Sequence, residues 1–375
     1  MEKKHLDFVD NLRWVVILLV VGQHAAVTYS HIGSWYYKAP EAPDRLATVF
    51  FLIFQVHLQA FFMGFMFLLA GYFVPAAYDR KGFCRFLKDR FLRLGLPSLL
   101  YIFAIHPLQG YFLLGWWKQS LGAAYWQYLI SGRWLSGSGP MWFAIALLLF
   151  SCVYAMVRAL TPDGGSSAKF HPSQRSALLA IGMTISFCAY LIRVYFPIGG
   201  SIFNMQICFF SQYIIMFIVG ILSFRGSFLQ SLSWKLGRRL FVGTLILSPL
   251  CWFCLLFPMH DIEHELTPFL GSGTWQSAVF ALWESMFCVA VSAGMLTLFR
   301  EKFDYKSTVA NLLTDSSFGL YVFHPPVLIA VSLALAPVSL SPVTKFAVVW
   351  PSAVAGTALL VHFLLRRTPF LKRIL

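Results

Sequence analysis

Apolar residues in this chain come in long blocks rather than in alternation. Blocks at 12–30, 46–75, 92–115, 140–160, 177–197, 203–224, 240–257, 275–299, 317–336 and 343–365 are separated by stretches that hold most of the charged residues. A helix rising about 1.5 Å per residue needs about 20 residues to cross a bilayer, and the blocks are of that order. Inside hydrocarbon only a helix pairs its own backbone groups, so the pattern predicts ten transmembrane helices. A transmembrane barrel needs short alternating segments, and the run from Phe61 to Phe73, FFMGFMFLLAGYF, does not alternate. In the third block Pro97, His106, Pro107 and Gly110 predict a kinked or re-entrant helix. The first block is long, carries Arg13 and lacks a small-residue cleavage site, so it reads as an anchor and not as a signal peptide.

Composition agrees. With 58% hydrophobic and 12% charged residues and a mean hydropathy of +0.70, the chain cannot be a water-soluble protein. A net charge of +14 would suit nucleic acid, but the positions of the basic residues give a different account. When the connecting segments are assigned alternately to two sides, 22 of the 29 lysines and arginines fall on the side of the N-terminus. The other side receives Lys38, Arg45, Lys118, Arg133, Arg193 and Lys345, with Arg13 left within the membrane. This asymmetry predicts an all-α, polytopic membrane helix bundle with both termini cytoplasmic, multi-pass in the cell inner membrane, with the lipid bilayer and no nucleic acid as partner. No repeat or linker divides residues 1–375, so a single domain is expected.

The seven cysteines read as packing residues, since the one close pair, Cys251 and Cys254, has no second pair near it. His260-Asp261-Ile262-Glu263-His264 fits a zinc-peptidase pattern, but it occupies a short outer loop before Pro268 with no peptidase domain around it. No metal site is assigned.

Candidate chemistry lies in the ionisable residues within the blocks. Arg13 and His24 are eleven positions apart, about three turns plus 20°, so they share a helix face with an axial separation of about 16 Å. Asp10, one turn before Arg13, is placed to pair with it. Taken alone the two residues also fit an ordinary basic flank and a structural histidine. His57 lies at a depth comparable to His24, and His324 and Glu284 lie within the ninth and eighth blocks, Glu284 with no basic residue near it in sequence. Each is a candidate for the wall of a cavity.

The order of four motifs changes the picture. Asp10-Asn11-Leu12-Arg13 followed by an apolar run to His24, the Phe61–Phe73 run, Arg90-Phe91-Leu92-Arg93-Leu94 ending at Pro97, and SFGLYVFHP from Ser317 to Pro325 together resemble the type-3 acyltransferase family of membrane O-acyltransferases. Ala70 stands where serine is common in that family. Ser34-Trp35, the His57 region and Phe318 to Pro326 look similar to the branch that modifies periplasmic glucans.

The resemblance implies an enzyme that moves an acetyl, succinyl or similar group from cytoplasmic acyl-CoA, a co-substrate and not a resident cofactor, to a hydroxyl of an extracytoplasmic carbohydrate or glycolipid. It implies that the basic loop with Arg85, Lys88, Arg90 and Arg93 holds the anionic end of the donor, and that the pantetheine arm passes Arg13 toward His24. His24 is then either a general base or a transient acyl carrier, and both roles need the neutral imidazole. Tyr321, His324 and Trp142 match family positions, and with His57 and Glu284 they are expected to line the substrate cavity. The competing expectation is a proton-coupled transporter or flippase-like protein using the same polar residues, against which stands the lack of an internal repeat.

Overall fold

The computed structural model describes residues 6–161 and 173–363. Among these, ten helices are long and apolar enough to cross a membrane: α1 (Asp7–Ser30), α2 (Arg45–Lys81), α3 (Phe83–Phe112), α4 (Gly139–Leu160), α5 (Gln174–Tyr195), α6 (Phe210–Gly226), α7 (Trp234–Leu256), α8 (Trp275–Lys302), α9 (Thr308–Leu335) and α10 (Pro342–Phe363). Every predicted block corresponds to one of them, and the described residues form no sheet. The chain folds as a multi-pass helical membrane protein. Lys3, Lys4, Lys169, Arg366, Arg367, Lys372, Arg373 and both termini, used above to assign sides, lie outside the described residues.

The third block is neither re-entrant nor sharply interrupted. It runs as one helix, α3, containing two π-helical turns, Phe91–Gly95 and Tyr101–Ile105. Each turn directly precedes a segment with proline in its first turn, Pro97 and Pro107. Proline lacks an N–H and its ring clashes with the carbonyl four residues back, so a local widening of the ladder lets the helix continue.

The helices α1, α2 and α8 are the most enclosed, and α7 is the most exposed. Small residues set the closest approach. A side chain on Gly71 of α2 would meet the Phe217 carbonyl of α6, and one on Gly220 would meet the Leu68 carbonyl of α2. Gly71 of the Phe61–Phe73 motif and Gly220 of α6 therefore bring two backbones into contact, as small residues do between membrane helices. One end of the bundle carries the basic residues Lys81, Arg85 and Lys88. The other carries the 32–44 loop, the short helix Leu121–Ile130, the 196–206 segment and the 257–274 connection, and the first, third and fourth of these line the site.

Candidate active site

The site begins at a proline. Pro325 has no N–H to give to the carbonyl of Tyr321, four residues earlier in α9. The side chain of His324 takes that acceptor instead: Nδ1 lies 2.9 Å from the Tyr321 oxygen and 3.2 Å from the Leu320 oxygen. Carbonyls only accept, so Nδ1 carries the proton, and in the neutral ring Nε2 is left as an acceptor. His24 Nδ1 lies 2.9 Å from that Nε2, and must therefore donate. The proton assignment passes through both rings and leaves the lone pair of His24 on Nε2.

Trp35, from the 32–44 loop, stacks on His24 with ring centroids 3.9 Å apart and planes 11° from parallel. The loop is tied down by Lys345 of α10, whose ammonium donates to Glu41 at 2.7 Å, and by Ala39, whose N–H donates to the Thr28 carbonyl at 2.9 Å. His24 thus has one edge on His324 and one face on an indole. It lines a cavity of about 660 Å³ walled by α1, α2, α4, α6, α7, α8, α9 and the loops at the same end, including Gln23, Gln55, Gln59, Asn204, Trp142, Tyr213, Glu284 and Tyr321. Aromatic faces are frequent in the wall, and its polar groups are chiefly amides and hydroxyls.

Trp142, Tyr321 and Glu284 line this cavity. The Tyr321 hydroxyl donates to the Pro140 carbonyl, joining α9 to the start of α4, and Trp142 packs against Tyr213 with centroids 5.6 Å apart. His324 stands behind His24, fully enclosed, and reaches the cavity only through it.

His57 is not in the wall. Gln55 and Gln59 of α2 face the cavity, and a residue two positions from each is turned by about 200°. His57 points instead toward α7 and α8. Its Nδ1 donates to the Ile53 carbonyl oxygen at 2.6 Å, so its Nε2 accepts from the Ser248 hydroxyl at 2.8 Å, and that hydroxyl oxygen accepts from Trp283 Nε1 at 2.8 Å. The role is structural. Replacing His57 with alanine is expected to cost about 1–3 kcal/mol of stability by breaking a buried polar network, with the transfer rate per folded molecule unchanged. Thermal unfolding in detergent and an activity assay on the same sample check both parts.

Glu284 does have a basic partner. Arg193 Nη2, near the end of α5, donates to its Oε2, and both side chains are enclosed. The sequence reading placed Arg193 outside the membrane, whereas its side chain turns back into the bundle and is 0% exposed. The clue was the carboxylate: an ionisable group within a span needs a counter-charge, and Arg193 sits beside a span end.

Arg13 and Asp10 are not at the reacting centre. They pair with each other at 3.2 Å at the basic end of α1, Arg13 lying over the Phe73 ring. Arg90 of α3 stacks on Phe86, with a buried Nε that has no protein partner. Arg93 is bound to Asp89 at 3.2 Å, and Lys81 to the same carboxylate at 2.7 Å. Arg85 and Lys88 are exposed. At the basic end the structure thus sets Arg90, with its unpartnered buried Nε, and the Arg13–Asp10 pair, while the rest of the basic loop is exposed or bound to Asp89. No group of metal-ligating side chains is found among the described residues.

Comparison with known proteins bears on this arrangement. No solved structure matches the chain. Over 387 aligned residues, covering 97% of this chain and 93% of the relative, it is 23% identical to the glucans biosynthesis protein C of Salmonella gallinarum (strain 287/91 / NCTC 13346). It is 24% identical to that of Salmonella schwarzengrund (strain CVM19633) over the same coverage. The type-3 acyltransferase domain model matches residues 6–364, which hold the relay-held His24, the cavity and the paired Arg13, and the chain therefore belongs to this family of membrane acyltransferases.

Proposed function

We propose that the protein is an inner-membrane O-acyltransferase that moves an acyl group from cytoplasmic acyl-CoA to a hydroxyl of an extracytoplasmic carbohydrate. The observation that carries the reading is the imidazole of His24, with Nδ1 given to His324 and Nε2 open to a cavity of aromatic faces and amides. Such a wall suits a sugar, whose C–H faces pack on rings and whose hydroxyls pair with amides. The relatives' names point to a glucan.

In the proposed reaction the acceptor hydroxyl gives its proton to His24 Nε2 while its oxygen attacks the thioester carbonyl carbon. The new C–O bond forms, the C–S bond breaks, and the departing thiolate takes the proton back to give free CoA. During the step His24 is an imidazolium. Its Nδ1–H already has an acceptor in His324, and its face rests on Trp35, a geometry in which a cation gains about 0.5–2 kcal/mol. Arg13 and Arg90 suit the phosphates of the donor at the basic end. The flexible pantetheine arm then spans the roughly 16 Å along α1 to His24.

The test is direct. Purified protein in nanodiscs receives labelled acetyl- or succinyl-CoA with gluco-oligosaccharides, and free thiol and acylated sugar are followed together. Stoichiometric release of CoA and formation of the ester support the reading. Thiol release without sugar ester, or no turnover with any hydroxyl acceptor, overturns it.

A further inference from the structure

The cavity holds a second polar station besides His24. Glu284 lines it, and Arg193 takes one of its two carboxylate oxygens, leaving the other for a ligand. The guanidinium is clasped between Phe209 and Phe280, at 5.2 and 5.4 Å from the ring centroids. Phe209, Phe280, Trp252 and Phe269 all face the same space. His24 is held by His324 and Glu284 by Arg193, so the two stations are built independently.

The chemistry of the second station is selective. An arginine-neutralised carboxylate has no net charge with which to draw an ion, and its open oxygen can only accept hydrogen bonds. A phosphate placed there would set oxygen against oxygen. A lipid tail would pack on the rings but would take the carboxylate out of water unpaired, which is costly. A polyhydroxylated ring satisfies both demands, giving hydroxyl protons to the carboxylate and its C–H face to Trp252, Phe269 or Phe280. A cavity of about 660 Å³ also falls within the range of about 300–1,000 Å³ that encloses ligands larger than one such ring.

We propose that Glu284, positioned by Arg193 and flanked by these aromatic faces, binds a sugar unit of the acceptor other than the unit acylated at His24. The pair then sets acceptor length, and the enzyme prefers an oligosaccharide to a single sugar. This inference rests on the carbohydrate-acceptor reading above.

Acylation kinetics with methyl glucoside and with a linear gluco-oligosaccharide separate the two. In the wild type the oligosaccharide has the lower KM. Glu284→Gln raises the oligosaccharide KM about tenfold or more, the loss of a hydrogen bond to a charged group, while kcat and the methyl glucoside KM hold. Phe269→Ala, at a half-exposed loop residue that makes no part of the ion pair, produces the same split and covers the case in which the first variant does not fold. Equal losses for both acceptors, or an unchanged oligosaccharide KM in both variants, overturn the proposal while leaving the acyltransferase reading standing. A wild type that acylates neither sugar sinks the carbohydrate reading itself and this inference with it.

Discussion

Replacing His24 with alanine is expected to lower acyl transfer about 10²- to 10⁴-fold, the contribution of a positioned acid–base group, or about 2.7–5.4 kcal/mol of barrier. Because the loss falls on the transition state, kcat and kcat/KM drop together while donor binding persists. His24→Gln is equally impaired, since an amide can still donate to His324 but offers no basic nitrogen. His324→Ala retains partial activity: the imidazole of His24 remains, but nothing fixes which nitrogen carries the proton, and the second-sphere partner of a reacting histidine commonly contributes through orientation. The measurement is steady-state transfer from labelled acyl-CoA, with donor binding followed separately. Wild-type turnover in His24→Ala removes this residue from the chemistry, and equal activity of His324→Ala and the wild type removes the relay.

The helices were legible in the sequence because a bilayer imposes length and apolarity on every crossing. The course of α3 was less so. Pro97 and Pro107 announce broken hydrogen bonds, yet whether a helix kinks, ends or widens to π turns depends on its neighbours. Within the site, His24, Trp142, Tyr321 and Glu284 were found from their polarity at membrane depth and from the family motifs, and all four line one cavity. Depth alone misplaced His57, and the i, i+4 spacing of Gln55 and Gln59 already marked the face it does not share. The link from His24 to His324 crosses 300 residues and no local rule gives it. Half of it was nonetheless written in the His324-Pro325 dipeptide, which frees a carbonyl beside a histidine. Trp35 was visible only as part of the Ser34-Trp35 stretch that resembles a family branch, and only the fold lays it on the imidazole.

The Arg193–Glu284 pair should be the most sensitive point of the structure to single substitution. Glu284→Leu leaves a guanidinium enclosed between two phenylalanine rings with two nitrogens already lacking protein partners. Arg193→Met leaves a carboxylate without its counter-charge, and breaking a buried pair from one side costs about 3–5 kcal/mol. Joint replacement, Arg193→Met with Glu284→Leu, is expected to recover most of that loss, because removing both charges also removes the need to desolvate them. Thermal unfolding of the four proteins in one detergent gives the coupling between the residues. Additive losses without recovery in the double variant show that the two charges do not depend on each other. If recovery occurs, the pair adds little net stability, and its place in the cavity wall calls for a binding role. The double variant is then the cleanest probe of that role: stable, with His24 untouched, it should acylate single sugars normally and lose the preference for longer acceptors.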